Sequence, residues 1–240
     1  WTANNYTLTV NPNGGIWSGS TSSQTFTQVM DSTKTIPNPT RTGYTFAKWE
    51  KTGSGSMSGT IFKFGAGNTT LKATWNINSY TLTVNPNGGV WSGVTTSQTY
   101  TQNYGTTKSI VNPTRIGYTF KSWSLAGGGS LTGTTYKYGS SNGTLTAVWE
   151  RIVYTVTFNA MANDGSPDST KNINHGDKIG NLPIPVKPYY KFIGWFTEVD
   201  GGTQISAEQI ITGNVTYYAQ FKIDASASLM TGGQKKPVIV

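Results

Sequence analysis

Tyr6-Thr-Leu-Thr-Val-Asn-Pro-Asn-Gly-Gly15 is the stretch from which the fold is read. Tyr6, Leu8 and Val10 fall on one side of an extended chain and Thr7 and Thr9 on the other, the period of two that a half-buried strand requires. Asn-Pro-Asn-Gly-Gly then ends the strand, because proline fixes φ and Asn-Gly or Gly-Gly supplies positive φ. The same ten residues return, letter for letter, as Tyr80 to Gly89.

That recurrence extends over the chain. Asn38-Pro-Thr-Arg41, Gly43-Tyr-Thr-Phe46 and Trp49 return 74 residues later as Asn112 to Arg115, Gly117 to Phe120 and Trp123, and Leu71 to Trp75 returns as Leu145 to Trp149. Residues 2–75 and 76–149 align without a gap and agree at 44 of 74 positions, far beyond chance. A third copy has diverged: Tyr154-Thr-Val-Thr-Phe-Asn159 stands for the first motif at a spacing of 74, and Pro183-Ile-Pro185, Pro188-Tyr-Tyr-Lys-Phe192, Trp195 and Tyr217-Tyr-Ala-Gln-Phe221 stand for the later ones at a spacing of 72. The expected domains are repeat 1 (2–75), repeat 2 (76–149), repeat 3 (150–222) and a tail, 223–240, that is a linker or a remnant of expression. Trp1 stands 74 residues before Trp75, so it reads as the last residue of a preceding copy.

Within a copy, Gly43 to Trp49 and Leu71 to Trp75 read as further strands, with shorter ones at Gln24 to Gln28 and Ile61 to Phe64. Four or five short strands in 74 residues predict a meander or grasp-like sheet rather than a βαβ unit. Helix is limited to one short turn at Ser206 to Ile211 and a second around Asp177 to Asn181. The fold class is therefore mainly β: a tandem array of small, β-grasp-like modules with little helix. Tyr44, Phe46 and Trp75 are the expected core anchors of repeat 1, each fully buried large side chain contributing roughly 1.5–3 kcal/mol.

Composition agrees. Charged residues make up 12% of the chain and hydrophobic ones 35%, while 12% aromatics is too many for a disordered chain of this polarity. There are no cysteines, so no disulfide staples the modules. No run of about 18 apolar residues is present to span a membrane.

The third copy, with its Pro-x-x-Pro-x-Tyr-x-Phe-x-x-Trp run and its closing Thr-Tyr-Tyr-Ala-Gln-Phe, resembles the Listeria–Bacteroides repeat, the B-repeat class of internalins and other bacterial surface proteins. Repeats 1 and 2 keep Pro-x-Arg-x-Gly-Tyr-Thr-Phe-x-x-Trp and Leu-x-Ala-x-Trp but add Trp-Ser-Gly after the Gly-Gly and carry longer loops. The resemblance implies a compact β-grasp-like fold, repeated in arrays on extracellular or wall-attached proteins, where it serves as a spacer or adhesive stalk.

Catalysis and metal binding need clusters of His, Cys, Asp or Glu. Repeat 2 contains no acid and repeat 1 only Asp31 and Glu50, so no function shared by the copies rests on paired carboxylates. The single histidine, His175, has Asp177 nearby but reads as a loop residue. Asp164, Asp168 and Asp200 lack the alternating spacing of a calcium loop and read as solvated turn residues. A Lys–Asn cross-link needs a buried acid, which repeat 2 does not offer. The expectation is thus a non-enzyme, with no catalytic residue, metal or cofactor.

Binding has more to stand on. Repeats 1 and 2 each carry a net charge of +4 (six bases less two acids, and four less none), against −1 for repeat 3. A basic surface suits an anionic wall polymer, a glycan or a host surface protein; no reader motif for nucleic acid accompanies it. Trp17 and Trp91 follow the Asn-Gly-Gly-x turn, where an exposed indole would stack on a sugar ring or a partner, or else the Trp folds over its own hairpin or wedges against the next repeat. With Arg41 and Arg115 they are the candidate contact residues. The expected function is a non-catalytic spacer or stalk of an extracellular bacterial surface protein, part of an adhesin, with neighbouring repeats as partners in the chain and a polymer- or glycan-binding module as the alternative. Linkers too short to be floppy favour a semi-rigid rod.

Overall fold

The computed structural model describes residues 4–161 and 165–225; Trp1, Asp164 and most of the tail, on which readings were made above, lie outside the described residues. Repeat 1 contains β1 (Asn5–Asn11), β2 (Gln24–Val29), β3 (Thr33–Thr35), β4 (Tyr44–Gly53), β5 (Ser56–Ser58), β6 (Ile61–Lys63) and β7 (Thr69–Ile77). Repeat 2 repeats the series as β8 (Ser79–Asn85), β9 (Gln98–Asn103), β10 (Thr107–Ser109), β11 (Tyr118–Gly127), β12 (Ser130–Thr132), β13 (Thr135–Lys137) and β14 (Gly143–Arg151). Repeat 3 keeps four strands: β15 (Val153–Asn159), β16 (Ser169–Asn174), β17 (Tyr190–Phe196) and β18 (Val215–Ile223). A single residue separates β7 from β8, and again β14 from β15.

Each repeat builds one four-stranded sheet, in the orders β2-β1-β7-β4, β9-β8-β14-β11 and β16-β15-β18-β17. This is not a meander. The first and last strands of each repeat lie side by side and parallel, Val10 opposite Leu71, Val84 opposite Leu145 and Phe158 opposite Tyr217. Such a pairing needs a long crossover, and the intervening residues of repeats 1 and 2 supply it with a second antiparallel sheet of three-residue strands, β3-β6-β5 and β10-β13-β12.

The core lies between the two sheets. In repeat 1, Leu8, Val10 and Leu71 meet Ile36, Phe62, Phe64 and Trp17, all buried; repeat 2 substitutes Leu82, Val84, Leu145, Ile110, Tyr136, Tyr138 and Trp91 at the matching places. Repeat 3 has no small sheet among the described residues, and Ile179, Ile205 and Ile211 from irregular segments cover Val156, Phe158 and Trp195 instead. Among the described residues there is no helix: 206–209 closes as a single turn, Gln209 N donating to Ser206 O at 3.1 Å.

One side-chain device recurs in all three copies. The Oδ1 atoms of Asn68, Asn142 and Asn214 accept from the backbone N–H of Thr7, Thr81 and Thr155 at 2.8–2.9 Å. Each asparagine stands just before or at the start of the last strand, so it ties the parallel pair together where the ladder opens. The described chain packs as two compact units, one of repeat 1 with most of repeat 2, the other of repeat 3 with Thr114–Ser122 and the stretch from Val148 of repeat 2.

Candidate functional site

Of the two readings of the turn tryptophans, the structure takes the buried one: both are core residues. Trp17 and Trp91 are each 3% exposed. The Trp17 Nε1–H donates to Pro37 O and that of Trp91 to Val111 O, both at 2.8 Å. Edge-to-face contacts hold the rings against Phe26 and Trp49, and against Tyr100 and Trp123. The physical reason is the turn itself. Asn13 and Gly14 take the positive φ values, 47° and 81°, while Gly15 serves close approach: a β-carbon there would lie 2.3 Å from the Trp75 ring. The reversed chain thereby passes over the sheet and sets the indole beneath it.

The expected anchors occupy the opposite station. Tyr44, Phe46 and Trp75 are half-buried and lie outside the core cluster. They line an open groove of about 880 Å³ together with Arg41 and Tyr104. Arg41 lies flat over Tyr44, 3.9 Å from the ring centroid, and 5.9 Å from that of Trp75. Its Nη1 donates to Asn13 O at 3.3 Å, and no carboxylate belongs to the lining. Arg115 repeats the stacking on Tyr118 at 3.9 Å, and Lys187 stands 4.7 Å from Tyr190 in repeat 3. The four candidate residues therefore do not form one constellation: the arginines sit on aromatic rings outside the core that the tryptophans fill. Arg41 with its ring pair is the arrangement able to meet a ligand, offering guanidinium N–H donors and flat apolar faces.

The histidine and acids follow their own arrangement. His175 Nδ1 is buried with no hydrogen-bond partner among the described residues, and Asp177 bonds elsewhere. The Asp177 carboxylate accepts from Arg151 at 2.7 and 3.2 Å and from Asn174 at 3.2 Å. The hydrogen bond from Arg151, then that from Asn174, holds its pKa below the usual aspartate value. Asp168 Oδ1 accepts from Ala160 N at 2.8 Å.

Comparison with known proteins follows these features. The Listeria-Bacteroides repeat domain pattern matches residues 6–74 and 154–220, and that of the divergent InlB B-repeat domain matches 80–153. Internalin H of Listeria monocytogenes is 32% identical over 118 residues, 48% of this chain and 21% of that protein. A protein described as a Gly-rich membrane protein, of Evansella cellulosilytica, is 32% identical over 176 residues, 67% of this chain and 20% of its own length. The chain thus spans about a fifth of the length of these relatives. Three copies of one mixed sheet, matched end to end by two repeat patterns, place the chain in the Listeria–Bacteroides repeat domain family, with its middle copy of the divergent B-repeat type.

Proposed function

We propose that these repeats are a non-catalytic structural spacer of a bacterial cell-surface protein, holding other domains of that protein outward. The observation that carries this reading is the single residue between the last strand of one sheet and the first of the next, which leaves no flexible linker between modules. The relatives, an internalin and a protein described as membrane-associated, support a surface setting. Solution scattering tests the spacer. A compact 240-residue globule has a radius of gyration of about 18 Å, and a spacer must exceed it clearly; a value at ~18 Å refutes the reading.

A second reading is favoured by the Arg41 groove and by the net charge of +4 on each of repeats 1 and 2: binding of an anionic wall polymer or host glycan, the step from spacer to adhesin. Arg41→Ala with Arg115→Ala removes both guanidinium groups and leaves the core intact, which replacing Trp17 and Trp91 does not. Binding to purified teichoic-acid polymer and to a glycan panel, at low and moderate salt, is expected to weaken in the double variant and as salt rises. Equal binding by both proteins excludes these arginines as the contact.

A further inference from the structure

Gly43 and Gly117 sit at the same place in repeats 1 and 2, both in the left-handed region at φ 78° and 76°. Each is covered by a ring from the following repeat. A β-carbon on Gly43 would lie 2.1 Å from Tyr104 Cγ, and one on Gly117 2.3 Å from His175 Cδ2. Two backbone bonds accompany each ring. Asn78 N donates to Gly43 O at 2.9 Å and Tyr104 N to Asn78 O at 2.8 Å; Ile152 N donates to Gly117 O at 3.0 Å and His175 N to Ile152 O at 2.8 Å. Glycine is needed here for two reasons at once, the positive φ and the absence of any atom where the ring lies.

Repeat 3 departs at this point. The equivalent residue is Tyr189, at φ 66° and 55% exposed. The first of the two backbone bonds is kept, Asp224 N donating to Tyr189 O at 2.9 Å. A bulky side chain at positive φ is conformationally unfavourable, so tyrosine is held here at a cost glycine would remove. At the other end of the series, Met30 occupies the place of Tyr104 and His175, and is 50% exposed.

We infer that ring-on-glycine is the dock by which one module takes the next, and that Tyr189 closes this dock on repeat 3 against a further copy of the same module. Repeats 1 and 2 are joining modules and repeat 3 is a terminating one.

The test uses the full chain, and a longer one in which 224–240 is replaced by a second copy of 78–149, so that an asparagine stands in place of Asp224. Because the protein contains no cysteine, pairs of spin labels can be placed without background. Labels at Ser58 and Thr132 of the natural chain are expected to give a narrow distance distribution, and Tyr104→Ser to broaden it. Labels at Lys191 and at the grafted copy of Thr132 are expected to give a broad distribution with Tyr189. In Tyr189→Gly, a residue suited to this φ, the width should fall to that of the Ser58–Thr132 pair. A narrow distribution with Tyr189 in place overturns the inference, as does equal breadth in both grafted chains while the Ser58–Thr132 pair stays narrow.

Discussion

Trp195 Nε1 donates to Pro183 O at 2.8 Å, and with that bond repeat 3 rebuilds from a different strand what Trp17 makes with Pro37. Pro37, Val111 and Pro183 are equivalent positions, so the acceptor carbonyl stays fixed across the copies. The indole arrives from the turn in repeats 1 and 2 and from β17 in repeat 3, which has no turn tryptophan. The core demands one indole in this seat, and the sequence satisfies the demand by two routes.

Trp17 and Trp49 should therefore differ in worth. Trp17→Phe strands the Pro37 carbonyl and thins the core, an expected loss of about 1–3 kcal/mol from repeat 1. Trp49 Nε1 is buried without a hydrogen-bond partner, so Trp49→Phe also removes an unsatisfied donor and should cost less than about 1 kcal/mol. Denaturant unfolding followed on the amide signals of β1 reports both, and equal costs would sink the distinction.

The contrast shows what the sequence disclosed. Tyr6, Leu8 and Val10 announced β1 because one face is buried and one solvated, and the 74-residue identity announced the modules. The strands β3 and β5 were not foreseen, because three residues carry no usable period. The parallel pairing of β1 with β7 joins residues about 60 apart, and no local pattern encodes it. Tyr44, Phe46 and Trp75 were expected in the core because they are large and aromatic, but size alone does not say how far the covering sheet extends. For Trp17 the turn left two readings, exposed or folded over its own hairpin, and Gly15 settles between them by letting the turn fold back against Trp75. Arg41 was singled out as a residue, without the ring pair that positions it.

Asn68 ties β1 to the start of β7. In Asn68→Ala the Thr7 N–H loses its acceptor where β1 and β7 begin to pair. The expected cost is about 1–2 kcal/mol, with hydrogen exchange at Thr7 accelerated more than at Val10. Unchanged exchange at Thr7 would show that water replaces the side chain at no cost.

Asp177 gives repeat 3 an acid-sensitive contact. Its pKa is lowered in the folded state by Arg151 and then Asn174, so the carboxylate favours folding above the unperturbed value of 3.8. That contribution fades as pH falls through the lower folded value. A carboxyl titration by NMR should place its midpoint below 3.8, and Arg151→Ala should move the midpoint upward. A midpoint that ignores Arg151 excludes the pairing in solution.

The last contrast concerns alkali. Phe62 and Phe64 in the core of repeat 1 are Tyr136 and Tyr138 in repeat 2, all at most 2% exposed. Burial raises the pKa of Tyr136, and burial followed by the neighbouring Tyr136 and Tyr100 raises that of Tyr138. A phenol whose folded pKa lies above its unfolded value of 10.0 favours folding fully below that value and ceases to as pH rises through the folded one. Repeat 2 should therefore lose stability relative to repeat 1 as pH rises above ~10. The hydroxyl of Tyr136 is not free to remove, because it donates to Gly128 O at 2.5 Å. In repeat 1 the matching carbonyl, of Ser54, accepts instead from Thr69, and Thr69 corresponds to Gly143, where a β-carbon would strike the Tyr136 hydroxyl. Tyrosine with glycine and phenylalanine with threonine are thus two ways of satisfying one carbonyl. Tyr136→Phe alone should cost about 1–3 kcal/mol at neutral pH, the price of an unpaired buried acceptor. Adding Gly143→Thr should recover most of that loss, and Tyr138→Phe on top should bring the alkaline midpoint of repeat 2 to that of repeat 1. A double-mutant cycle at positions 136 and 143, read by amide signals of β8 against pH, checks both steps; additive effects would show that the carbonyl is indifferent to its donor.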